Sequence, residues 1–243
     1  MKKTIFVIST LAMLCSILMS LKYNEPKSNL VKIEKNLFVS ETEVTNNDYR
    51  EFLNYLLSTN QKDKYALCLY DSSKWNSATT EADALTAYYH RHVVYGSYPI
   101  VNITQNAMQS YCEWLTMKYE SSSDKKYKKV VYRLPTENEW KKIVTPFPAN
   151  LSSSEKVGAY ANVKSKSAGS QTVEIPSPVN AYKPNKSGFY NTVGNVSEVT
   201  AEGKIVGGNF TTDIEECSIG KYQNYTLPDA RVGFRYVMEV IEF

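Results

Sequence analysis

A chain of 243 residues is long enough for one large domain or two small ones, and 42% hydrophobic with 22% charged residues is the balance of a packed core, not of bulk disorder. Net charge is +3, and the lysines are dispersed apart from Lys125, Lys126, Lys128 and Lys129, a run read as a solvated loop. No basic face interleaved with stacking aromatics is visible, so no nucleic-acid partner is expected.

Lys2 and Lys3 precede an uncharged run from Thr4 to Leu21, the layout of a secretory signal. The run also reaches about the 18 residues at which a membrane span becomes possible. Three fates stay open: cleavage, retention as an anchor, or lipidation at Cys15, where the bulky Leu14 fits the lipoprotein motif poorly. Each of them exports the remainder to the periplasm or cell envelope, with membrane association through the N-terminus. Residues 22–36 are polar, contain Pro26, and read as a linker to a domain over 37–243.

Phe38, Val39 and Val44 suggest a strand, and Thr45 with Asp48 forms a capping box opening a helix. Tyr49, Phe52, Leu53 and Leu56 then fall at i, i+3, i+4 and i+7, one buried stripe. A second helix is predicted from Thr104, with Ala107, Tyr111 and Leu115 on one face and Cys112 beside them as a core residue. Thr136 and Glu139 cap a third, short helix that carries Trp140, Ile143 and Val144. From Pro146 helical periodicity is lost, and short extended pieces alternate with Gly, Pro, Asn and Ser. Ser121 to Lys129 and Ser165 to Ser170 look like surface insertions. The fold class is α+β: two or three helices on a small, mostly antiparallel sheet, with much irregular loop.

Past the leader the cysteines are Cys68, Cys112 and Cys217, an odd number that allows at most one intramolecular disulfide. No CxxC spacing occurs, so a structural zinc site is not expected. His90 and His92 are either packing or exposed histidines or a metal pair. The 19 tyrosines suit either an adaptable binding surface or a filled core.

Several blocks then line up in order. Phe38-Val39-Ser40-Glu41-Thr42-Glu43-Val44-Thr45-Asn46 resembles an opening "F…E-V-T-N" block, and Pro99 through Leu115 a "P-V-x-x-V-(S/T)" helix ending in "Y-C-x-W-L". Tyr132 to Trp140 is similar to "Y-R-L-P-T-E-A-E-W", and Pro184 to Glu198 to "P-N-x-x-G-L-Y-D-M-x-G-N-V-W-E". Gly207-Gly208-Asn209-Phe210 and Gly233-Phe234-Arg235 resemble "R-G-G-S-W" and "G-F-R". Together they resemble the sulfatase-modifying-factor (formylglycine-generating enzyme) family, whose fold is C-type-lectin-like.

The resemblance implies chemistry that these residues follow only in part. Family enzymes oxidise a substrate cysteine using oxygen and a copper(I) ion held by two thiolates, soft ligands that a hydroxyl cannot replace. Counted from the Gly-Gly pair, the second thiolate falls on Cys217 and the first on Thr212, so copper is not expected; Cys217 is the catalytic candidate if the chain is an oxidase, paired with Cys68 or Cys112 only if the fold brings one close. Val206 stands where the family has Arg, and Ser197 and Val199 replace its tryptophans. The resemblance further implies structural calcium, through Asn195, the Val196 backbone and Glu198 at one site and Asn162 with the Val163 backbone at another. Arg133 and Arg235 are expected to pair with buried carboxylates or carbonyls. The favoured function is non-catalytic: an envelope binding or scaffold protein, similar in outline to lipoproteins of gliding and type IX secretion machinery. A formylglycine-generating oxidase and a carbohydrate- or peptide-binding module are the alternatives.

Overall fold

The computed structural model describes residues 29–77, 82–144, 161–164, 175–217 and 223–243. The leader with Cys15 and the insertion at 165–170 lie outside the described residues. The first sheet starts earlier than expected, with β1 (Leu30–Lys32) antiparallel to β2 (Leu37–Ser40). Residues 30–36 are therefore a hairpin and not tether. Leu30 packs on one core cluster while Val31 and Ile33 pack on another, and that burial holds the hairpin down.

Helix α1 (Asn46–Ser58) starts at Thr45, whose side chain accepts from the Asp48 backbone while Asp48 caps in return. Its buried face is Tyr49, Phe52, Leu53 and Leu56, the stripe read from the sequence. Two short helices, α2 (Lys62–Cys68) and α3 (Ala82–Tyr88), were not legible, because each buries a single residue, Cys68 and Leu85. Helix α4 (Gln105–Glu120) is capped by Thr104 and buries Ala107, Met108, Tyr111, Cys112, Trp114, Leu115 and Tyr119. After β3 (Lys129–Arg133), helix α5 (Glu137–Ile143) carries the expected capping box from Thr136 and Glu139. The described residues thus hold five helices where two or three were expected.

A second sheet follows: β4 (Ser197–Val199), β5 (Lys204–Val206), β6 (Gln223–Asn224) and β7 (Val232–Gly233), in the order β6-β5-β4-β7, with only β4 and β7 parallel. The last strand, β8 (Val237–Glu242), returns to the first sheet, whose antiparallel order is β1-β2-β8-β3. Among the described residues no helix is long and apolar enough to cross a membrane.

Helix α1 packs across α4 through a cluster of rings. Phe52 lies 5.4 Å from Tyr49, 5.8 Å from Tyr111 and 5.6 Å from Trp114, centroid to centroid. Among the described residues six tyrosines are buried, including Tyr111 and Tyr236, so core filling accounts for part of the tyrosine content. Phe52→Ala is expected to cost about 3–5 kcal/mol, because a fully buried ring in a close-packed cluster leaves a cavity that its neighbours cannot fill. Urea denaturation would read this as a lower midpoint at unchanged slope.

Candidate binding cleft and the buried ion pair behind it

Arg235 follows the Gly233-Phe234 segment between β7 and β8, and its side chain is completely buried. Its Nε donates to Glu198 Oε2 at 2.7 Å and its Nη2 to Glu198 Oε1 at 2.6 Å, a two-pronged ion pair with a carboxylate on β4. The remaining donors reach the carbonyls of Ser40 and Glu41 at 3.2 Å each and of Tyr190 at 2.8 Å. The Trp140 indole N–H donates to the same Glu198 Oε2 at 3.0 Å. Burial opposes the charge on Arg235, but Glu198 outweighs it and holds the guanidinium pKa above its usual value. Arg133 does the same nearer the surface, paired with Glu139 at 2.7 Å and Glu239 at 2.9 Å. Both arginines do what the sequence suggested.

Beside this pair lies a second buried carboxyl, Glu43, which the sequence reading did not single out. Asn195 Nδ2 donates to its Oε1 at 2.8 Å and Asn191 Nδ2 to its Oε2 at 3.1 Å. Burial pushes Glu43 up and Glu198 adds to this, while Arg235 and the Asn195 amide pull the other way, leaving its pKa at about 7. Asn191 and Asn195 sit at φ of 49° and 60°, a left-handed backbone that asparagine tolerates better than most residues.

The residues expected to hold calcium do come together. Asn195 donates its backbone N–H to the Asn162 carbonyl at 2.7 Å, and a Cβ on Gly194 would lie 2.5 Å from that carbonyl and 2.7 Å from Val163. The side-chain oxygens of Asn195 and Glu198, however, already accept hydrogen bonds. Asn195 Oδ1 takes the Ser177 N–H at 2.8 Å and the Asn162 amide at 3.4 Å. Both Glu198 oxygens face donors, chiefly the guanidinium. A hard cation needs free oxygens and gains nothing beside a fixed positive charge. The donor set does not fit calcium at Glu198; it fits an ion pair.

In front of the ion pair opens a cleft of about 620 Å³, lined by Ser197, Val206, Gly207, Gly208, Asn209, Thr211, Thr212, Glu216, Gln223, Asp229 and Arg231 among others. Asn209 organises it: its Nδ2 donates to Ser197 Oγ at 3.0 Å, and its Oδ1 accepts from the Thr211 N–H and hydroxyl at 3.0 and 2.8 Å. On the facing wall, Arg231 grips Asp229 through two bonds of 2.8 and 2.6 Å. Gly207, at φ of 90°, runs so close to the Trp140 ring that a Cβ would stand 3.2 Å from it. The indole thereby joins the ion pair to the cleft wall.

A model of the "Sulfatase-modifying factor enzyme 1-like domain" family matches residues 15–240. The chain belongs to this family. Three solved structures share its fold. PvdO from Pseudomonas aeruginosa has a TM-score of 0.57 at 20% identity, covering 89% of this chain and 86% of that one. Treponema denticola variable protein 1 has a TM-score of 0.55 at 15%, covering 89% and 93%. CarF has 0.56 at 16%, covering 88% and 96%. No curated protein matches.

Within this sulfatase-modifying-factor domain Thr212 and Cys217, the two positions that the resemblance set against the family's thiolates, lie in unlike surroundings. Thr212 lines the cleft, its hydroxyl accepting the Asn209 N–H at 3.1 Å. Cys217 is buried in the core cluster with Trp140 and Ile143, directly behind Gly208, where a Cβ would approach its sulfur to 2.4 Å. Burial first, then the charges of Glu216, Asp213 and Glu215, push its thiol up to about 12. Cys68 and Cys112 belong to a different cluster, and all three thiols are free. A single high-pKa sulfur does not fit a two-thiolate copper(I) site. His90 is buried against Tyr70 at 4.0 Å, its Nε2 bonded to the Val101 carbonyl, whereas exposed His92 accepts from the Val94 N–H at 3.3 Å. They form no metal pair.

Sequence reasoning also missed the Asp229–Arg231 pair; the spacing is common and carries no signal until the fold turns both into the cleft. Arg235→Met is expected to destabilise by about 3–5 kcal/mol, since Glu198 is left buried and unpaired, with a smaller loss when Glu198→Gln is combined with it. Two opposing pH terms are also expected. Native Glu43 holds its proton up to about 7 against an ordinary 4.5, so stability falls as pH rises across that window. Native His90 stays neutral down to about 3 against an ordinary 6.5, so its contribution is full above 6.5 and is lost as pH falls. Stability read by denaturation from pH 4.5 to 6.5 should be nearly flat in the parent, rise with pH in Glu43→Gln and fall with pH in His90→Phe.

Proposed function

We propose that this domain is a non-catalytic binding module of the cell envelope and that the cleft around Asn209 and Arg231 takes an extended polypeptide segment. The observation that carries this reading is the contrast between Thr212 and Cys217. The cleft wall presents a hydroxyl where the family's chemistry requires sulfur, and the remaining thiol is packed away from the cleft with its pKa at about 12. Gln223 and the capacity that the internal bonds leave on the Ser197, Thr211 and Thr212 hydroxyls supply neutral donors and acceptors of the kind a peptide backbone pairs with. Among the described lining residues there is no aromatic ring for a sugar to stack on, which favours peptide over glycan. Export rests on the Lys2-Lys3 and apolar-run pattern at the N-terminus.

Peptide and glycan arrays probed with the full chain test this. Sequence-selective peptide binding is expected, weakened at least about tenfold by Arg231→Met, which removes one charge-assisted contact, and unchanged by Cys217→Ser. Binding to glycans alone would overturn the peptide assignment. Oxygen-dependent turnover of a cysteine peptide with copper(I), abolished by Cys217→Ser, would overturn the non-catalytic reading.

A further inference from the structure

Across β2, the loop before β3 and the end of β8 three rings form a row, with Phe38 5.9 Å from Tyr127 and Tyr127 5.6 Å from Phe243. Each carries a lysine ammonium: Lys32 over Phe38 at 5.9 Å, Lys126 over Tyr127 at 5.4 Å and Lys35 over Phe243 at 5.7 Å. The six residues come from the β1–β2 hairpin, the loop before β3 and the residue after β8, so only the fold assembles them. The three lysines are exposed, and none makes a salt bridge among the described residues. The nearby Glu242 is already paired, to Lys128 at 3.1 Å. Phe243 is 55% exposed while Phe38 and Tyr127 are half-buried against the core, so the strip presents one open ring, two partly covered ones and unpaired positive charge together.

We propose that this strip docks on the surface of an anionic lipid bilayer. Aromatic rings settle at the headgroup level, where one end meets hydrocarbon and the other water. Lysines beside them gain from a negative surface potential that acts only within a Debye length. The chain's own layout supplies the proximity. The uncharged run Thr4 to Leu21 precedes β1 by residues 22–29 alone, which when fully extended span at most about 30 Å. A domain on so short a lead, with Lys32 on its first strand, meets a membrane at high local concentration whenever the run engages one. A nucleic acid would use the same charges, but each ring already has an ammonium over a face on which a base would stack.

The proposal is independent of what the cleft binds. Its test uses the full chain carrying Phe243→Trp, with vesicles of phosphatidylglycerol or phosphatidylcholine brominated near the headgroup. The native Trp75, Trp114 and Trp140 are exposed by only 0%, 6% and 2%, so bromine quenching reports the strip and not the leader. Quenching by about half or more is expected on phosphatidylglycerol. It should be lost in about 0.5 M salt, where screening shortens to about 4 Å, and in the Lys32→Glu, Lys35→Glu, Lys126→Glu triple variant. Equal quenching on phosphatidylcholine, none on phosphatidylglycerol, or indifference to salt overturns the proposal, and the first two need no variant beyond the reporter.

Discussion

A guanidinium and a carboxylate taken wholly out of water are tolerable only when every donor and acceptor is met, and Arg235 with Glu198 satisfies that condition. The pair joins parts of the chain that share little else. Glu198 belongs to the second sheet, the Ser40 carbonyl to the first, the Tyr190 carbonyl to the irregular stretch, and the Trp140 indole to α5. Apolar side chains of similar volume would fill the space, yet they would not specify direction. For a domain with so little regular structure between 175 and 196, direction matters more than volume. Hydrogen bonds to named carbonyls give the irregular chain one path.

The asparagines extend the same logic. Asn191 and Asn195 turn the backbone through left-handed conformations and aim their amides at Glu43, Val179 and Ser177. Long loops stay ordered only where their polar groups are satisfied internally, and here side chains do the work that a ladder does in a sheet. Asn162, Asn195 and Glu198 are bound into this framework through their own hydrogen bonds.

Much of this was legible in the sequence because it is local. Thr45 with Asp48 and Thr136 with Glu139 announce helix starts through short-range capping chemistry, and the Tyr49-Phe52-Leu53-Leu56 stripe reports a buried face directly. The ordered blocks from Phe38 to Arg235 carried the family and its fold. What escaped was non-local. Residues 30–36 read as a tether because their two apolar faces are short and serve different clusters. Glu43 looked like one more acidic residue between Thr42 and Val44; nothing nearby reveals that Arg235 and Asn195 will surround it. The same holds for Lys126 and Tyr127, read as solvated loop until Phe38 and Phe243 arrive from opposite ends of the chain.

The strand order β1-β2-β8-β3 has a kinetic meaning as well. Strands β2 and β3 touch only through β8, the last strand of the described residues, and Arg235 stands just ahead of that strand. Neither the central sheet nor the socket around the guanidinium can close until β8 is present. Closure of loops this long is entropically slow, so the domain waits open before it locks. Order is therefore imposed from the far end of the domain: the early strands hold no central sheet until β8 arrives between them.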